Sequence, residues 1–118
     1  AMPLYDPHRL VSMNGEVVVV TLNYRLGLFG FLGGPQWRGL EGNGNWALYD
    51  MRLALEWIKE NIAAFGGNPH NLTLMGQSAG AMAAHYLTAW CPHLFNRVIL
   101  MGGSKDLLPS RSLEAEGV

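Results

Sequence analysis

Val17-Val18-Val19-Val20-Thr21-Leu22 is an unbroken run of β-branched and apolar residues that follows the turn-prone pair Asn14-Gly15. A strand buried on both faces of a parallel sheet reads this way, because none of its positions has to face water. The run therefore predicts a first strand. From Tyr24 to Asn45 the pattern breaks down: seven glycines, at 27, 30, 33, 34, 39, 42 and 44, alternate with aromatics and Pro35, with neither a helical nor a strand period. This stretch is expected to be a long surface connection. Periodicity returns in Leu48, Met51, Leu55, Ile58 and Ile62, spaced by three and four, with Glu56, Lys59 and Glu60 on the opposite face. Asn45 is placed to cap that helix, and Gly66-Gly67 with Pro69 to end it. Leu72-Thr73-Leu74-Met75 predicts a short buried strand. Ala79 to about Trp90 is an alanine-rich helix stopped by Pro92, and Arg97-Val98-Ile99-Leu100-Met101 is a third strand.

The order strand, helix, strand, helix, strand predicts an α/β fold with three parallel strands joined by two crossover helices. No repeat, linker or low-complexity tract divides residues 1–118. The tail, residues 105–118, is polar and aperiodic and is expected to be poorly ordered. With 49% apolar and 14% charged residues, the 118-residue chain can bury a core. A net charge of −1 leaves no basic field for nucleic acid, which is excluded as a partner. The longest apolar run is too short to span a bilayer, and the first residues lack the charged and apolar regions of a secretion leader. A single cysteine, Cys91, rules out an internal disulfide and reads as a buried apolar thiol.

Gly76-Gln77-Ser78-Ala79-Gly80 fits G-x-S-x-G and lies between a predicted strand and a predicted helix, the context in which that motif forms a nucleophile elbow. A serine on such a sharp turn projects its hydroxyl beyond the sheet, and small residues two before and two after it leave room for strand and helix to approach. Gly76 and Gly80 are expected to supply that room. Ala79 then opens the helix, so its N–H is positioned to meet the oxyanion of a tetrahedral intermediate. The competing reading is a serine that merely caps a helix; the preceding strand argues against it.

Phe65-Gly66-Gly67, then Leu72 and Leu74, then Gly76-Gln77-Ser78-Ala79-Gly80, resembles the serine signature of the type-B carboxylesterases and cholinesterases. The resemblance extends to Val17 through Gly27 with Phe29-Gly30-Phe31-Leu32, to Gly44-Asn45, and to Leu94 through Ile99, so roughly residues 16 to 104 look like this family. Gln77 stands where the family most often has Glu, Ala47 where it usually has Gly and Met51 where it usually has Gln. The resemblance implies part of an α/β-hydrolase domain and a carboxylic-ester hydrolase working through an acyl-enzyme on Ser78. It also implies a small-molecule ester substrate and a secreted or secretory-pathway location.

A serine needs a histidine base and an orienting acid. Among the four histidines, His85 lies seven residues along the helix, about 10 Å from Ser78 by helical rise, and His8, His70 and His93 fall toward the far edge of the sheet. Asp106 is the one local acid worth naming. The resemblance places the acid and His beyond Val118 and a Gly-rich oxyanion loop before the first strand, where residues 1–16 hold no Gly-Gly pair, so this chain lacks all three, and it implies a further strand, also missing here, between the first strand and the second. The rest of the hydrolase domain is therefore needed, and the isolated chain is expected to be marginally folded and inactive. The rival reading is a catalytically silent cholinesterase-like adhesion or binding protein; a peptidase or thioesterase would share the same elbow.

Gly42-x-Gly44-x-x-Ala47 only superficially fits a dinucleotide fingerprint, since no strand precedes it, and no Cys/His spacing suits a metal, so neither cofactor nor metal is implied. Asn71-Leu72-Thr73 is a glycosylation sequon, but Asn71 opens a strand read as buried, which argues against occupancy. Tyr24, Phe29, Phe31, Trp37 and Trp46 either line a substrate pocket or stabilise the long connection, and the second job is the commoner.

Overall fold

The computed structural model describes residues 6–37, 39 and 44–104. The tail from 105, with Asp106, and the glycine at 42 lie outside these residues. Along the chain, α1 (His8–Asn14) precedes an irregular stretch, then come α2 (Gly27–Phe31), α3 (Trp46–Asn61), β1 (Thr73–Gln77), α4 (Ala79–Trp90) and β2 (Arg97–Met101).

Helix α3 forms where the three-and-four spacing places it. Met51, Leu55 and Ile58 are buried, Ile62 is buried in the 3-10 turn that follows, and Gly66 ends the segment with φ 82°. Asn45 occupies the N-cap position but does not cap with its side chain; its carbonyl accepts from the N–H groups of Leu48 at 2.9 Å and Tyr49 at 3.2 Å. Its ψ of 27° lies outside the extended region from which an N-cap side chain reaches back to the first turn. The core is the seam between α3 and α4: Ala47, Met51 and Leu55 meet Ala83, Leu87, Cys91 and Leu94, with Leu22, Tyr24 and Leu74 packed around them. Burial pushes the Cys91 thiol pKa up, so the group stays protonated and apolar in character.

β1 and β2 pair in parallel, in the register Thr73↔Arg97 through Gln77↔Met101. These are two strands, where three were expected. Val17–Leu22 adopts no strand, and Val17, Val18 and Val20 remain 41%, 46% and 42% exposed. β-branched composition favours an extended backbone, but a strand exists only where a neighbour completes its hydrogen-bond ladder. Among the described residues no strand lies beside this one. The Asn14-Gly15 pair is likewise used differently from a turn before a strand: Gly15, at φ 63°, closes α1 by donating its N–H to the Val11 carbonyl at 2.9 Å. Within the long connection, the short helix α2 and a 3-10 turn at Pro35–Trp37 supply local order that the glycine-rich pattern did not announce. Asn71 is exposed, in contrast to its expected burial.

Candidate active site

β1 runs directly into α4, with Ser78 as the one residue between them. Ser78 has φ 53° and ψ −119°, and it is the one non-glycine residue with positive φ among those described. That conformation is costly for a side chain bearing a Cβ and persists only where the surroundings impose it. Three contacts impose it here. The Ser78 N–H donates to the Met101 carbonyl at 2.9 Å, extending the parallel ladder one residue past β1, and the Ser78 carbonyl accepts from Ala81 at 2.9 Å and Met82 at 3.1 Å, starting the helix. The serine is held from both sides through its backbone.

Its hydroxyl takes no part. Ser78 is exposed and makes no side-chain cap bond to α4, and its positive φ differs from the extended backbone of an ordinary N-cap. The N–H groups of Ala79 and Gly80 likewise have no acceptor among the described residues. They are the first unsatisfied donors of α4, at the positive end of its dipole. Gln77 is exposed at the end of β1 and carries a further interaction.

The close approach of strand and helix depends on glycines, though not on the expected pair alone. A Cβ on Gly76 would overlap the Gly80 carbonyl and lie 2.7 Å from the Ala81 nitrogen. A Cβ on Gly80, by contrast, would meet nothing within 4 Å, so at Gly80 it is the backbone and not the missing side chain that is crowded. The second steric requirement falls on Gly103, overlooked in the sequence, where a Cβ would overlap the Ser78 carbonyl and lie 3.1 Å from the Ala81 Cβ. The signal for it was the Gly102-Gly103 pair directly after the last strand.

No histidine or carboxylate joins Ser78 among the described residues. His70 donates its backbone N–H to Asn68 Oδ1 at 2.8 Å, the His93 carbonyl accepts from Lys59 at 2.9 Å, and His85 is half-buried along α4. His8 lies in α1. A different charged pair dominates the N-terminal part: Arg25 Nη2 meets Asp50 Oδ1 at 2.6 Å and its Nε meets Oδ2 at 2.8 Å, while its backbone N–H donates to the same carboxylate. These hydrogen bonds from Arg25 hold the Asp50 carboxyl below the usual aspartate range. Of the aromatics, Phe29, Trp37 and Trp46 line an open groove of about 280 Å³ with Arg25, Leu28 and Leu32, and Tyr24 packs on the core. None of the groove residues belongs to the β1–α4 corner.

A family model described as the carboxylesterase family matches residues 1–109. The chain belongs to that family. It is 45% identical over 109 residues to the cholinesterase of Mus musculus, covering 90% of this chain and 17% of that protein. To the para-nitrobenzyl esterase of Bacillus subtilis it is 46% identical over 104 residues, covering 86% and 21%. The carboxylesterase EST55 of Geobacillus stearothermophilus, in a crystal structure at pH 6.2, superposes with a TM-score of 0.82 at 44% identity, covering 89% of this chain and 22% of that one. This carboxylesterase segment thus spans about a fifth of the length of the relatives it matches. Its solved neighbours carry the α/β-hydrolase fold, of which the two parallel strands and their helices are a fragment.

Proposed function

We propose that this segment carries the nucleophile of a carboxylic-ester hydrolase, with Ser78 as the attacking residue. The observation that carries the reading is the strained, backbone-clamped Ser78 whose exposed hydroxyl makes no hydrogen bond at the junction of β1 and α4. Strain of this kind is retained where it serves a site, and a serine on a strand-to-helix turn of this kind is suited to carry a nucleophilic hydroxyl. The Ser78 Oγ attacks the ester carbonyl and the alcohol departs; water then releases the acid from the acyl-enzyme. A histidine takes the serine proton and returns it to the leaving alcohol, an acid orients that histidine, and both come from the remainder of the hydrolase domain. The Ala79 N–H supplies one donor to the tetrahedral oxyanion. Residues 1–118 on their own are inactive, because no described base reaches the serine.

Ester turnover by the full-length protein tests this. Ser78→Ala is expected to lower kcat by roughly 10⁵-fold or more and to abolish labelling by a fluorophosphonate, while the isolated segment neither turns over ester nor takes the label. Unchanged turnover in the Ser78→Ala protein would remove Ser78 from the mechanism. A wild-type full-length protein that never labels would favour the silent adhesion or binding role instead.

A further inference from the structure

We propose that Asn71 is an attachment site for an N-linked glycan, seated at the end of the sheet remote from Ser78. Asn71-Leu72-Thr73 is the one N-x-S/T sequence in the chain. Burial was the argument against its use, and the fold removes it: both Asn71 and Thr73 are exposed, and only Leu72 between them is half-buried.

The two ends of the Asn71 amide are in different situations. Its Oδ1 accepts a hydrogen bond from Arg97 Nη1 on the neighbouring strand, whereas its Nδ2 has no partner among the described residues. Glycan transfer joins Nδ2 to the anomeric carbon of the first sugar of a lipid pyrophosphate-linked oligosaccharide. The bond from that carbon to the pyrophosphate oxygen breaks, the lipid pyrophosphate leaves, and one Nδ2 proton is released. The product amide keeps its carbonyl and one N–H, so the Arg97 contact survives.

The surrounding backbone is already satisfied without Nδ2. The Asn71 N–H donates to the Asn68 carbonyl at 3.0 Å, and the Leu72 N–H donates to Asn96 Oδ1 at 2.9 Å. The Leu72 carbonyl in turn accepts from Asn96 at 2.8 Å and Arg97 at 3.2 Å. A glycan therefore displaces no hydrogen bond that ties the strand ends together. Its place just before β1 keeps it clear of the proposed chemistry: Asn71 and Ser78 lie seven positions apart along largely extended chain, roughly 20 Å at about 3.3 Å per residue.

The test is expression of the full-length protein behind a cleavable secretion leader in a eukaryotic host, with a second N-x-T sequence appended at its C-terminus as a marker of entry into the glycosylating compartment. Secreted and retained protein are both analysed by peptide-N-glycosidase F digestion and peptide mapping. The expected result is a glycan at residue 71 that is lost in Asn71→Gln and in Thr73→Ala and partly kept in Thr73→Ser. Chain that carries the marker glycan but an unmodified Asn71 overturns the proposal, as does a residue-71 signal that survives Asn71→Gln.

Discussion

The two ends of the described chain treat apolar side chains in opposite ways. In the α3–α4 seam, Met51, Leu55 and Leu87 are 6%, 4% and 1% exposed. Upstream, Val18, Leu28 and Phe29 are 46%, 72% and 81% exposed, although their stretch is as apolar as any in the sequence. The difference lies in partners. Helices α3 and α4 face each other across a shared stripe and satisfy their own backbones, so they bury their surface within the segment. Val17–Leu22 pairs with no strand among the described residues, and the short helix α2 leaves Leu28 and Phe29 open to solvent.

Hydrogen exchange on the isolated segment offers the most severe test of that comparison. Amides of α3, α4 and the strand pair are expected to be protected over those of residues 17–32 by orders of magnitude. Uniform protection, together with one cooperative melting transition over the whole segment, would break the comparison. Next in size, Leu87→Ala should cost about 2–5 kcal/mol in urea unfolding, against a change within about 0.5 kcal/mol for Val20→Ala. Equal costs would mean that Val20 is buried after all.

A third contrast sits at the serine corner. Gly103→Ala forces a Cβ against the Ser78 carbonyl and is expected to destabilise by about 1–3 kcal/mol. Gly80→Ala, open at the Cβ and within a helix, should stabilise the isolated segment by up to about 1 kcal/mol. Reversal of that order in denaturant melts would show that crowding is on the other side of the corner.

The smallest expected effect concerns the tether between the two regions, Arg25 to Asp50. Asp50 titrates below the ordinary aspartate value in the folded chain, so its contribution is present above about pH 4 and is lost as the pH falls from there through its lowered folded value. The pair is partly solvent-exposed, which limits its weight. Asp50→Asn should flatten this part of the stability–pH curve while leaving the α3–α4 seam protected from exchange; an unchanged acid limb would assign the loss to other carboxylates.

Elements with local or nearest-neighbour causes were legible in the residues themselves. The three-and-four spacing from Leu48 to Ile62 marked α3 and its buried face, and Ala79 to Trp90 marked α4 with the bounds it has. Leu72 to Met75 foretold a strand that is shifted toward Gln77, because its extent follows the pairing with Arg97–Met101 and not its own composition. The G-x-S-x-G pattern located the corner, and Gly76 was recognisable as the small residue before the serine. Gly103 was not, since its constraint comes from a backbone twenty-five positions earlier in the chain. Arg25 and Asp50 showed no period or motif to join them.

Sequence alone thus determined α3 and α4, the two strands' whereabouts, the position of Ser78 and the family, because hydrophobic period, glycine placement and a short motif act over a few residues, whereas α1 and α2 went unannounced. Tertiary structure decided the rest: that Val17–Leu22 stays unpaired, that Ser78 is held at positive φ from both flanks, that Gly103 must lack a side chain, and that Asn71 faces solvent. Each depends on which distant backbone lies alongside, and a ladder, a steric contact or an exposure exists only once that neighbour is in place.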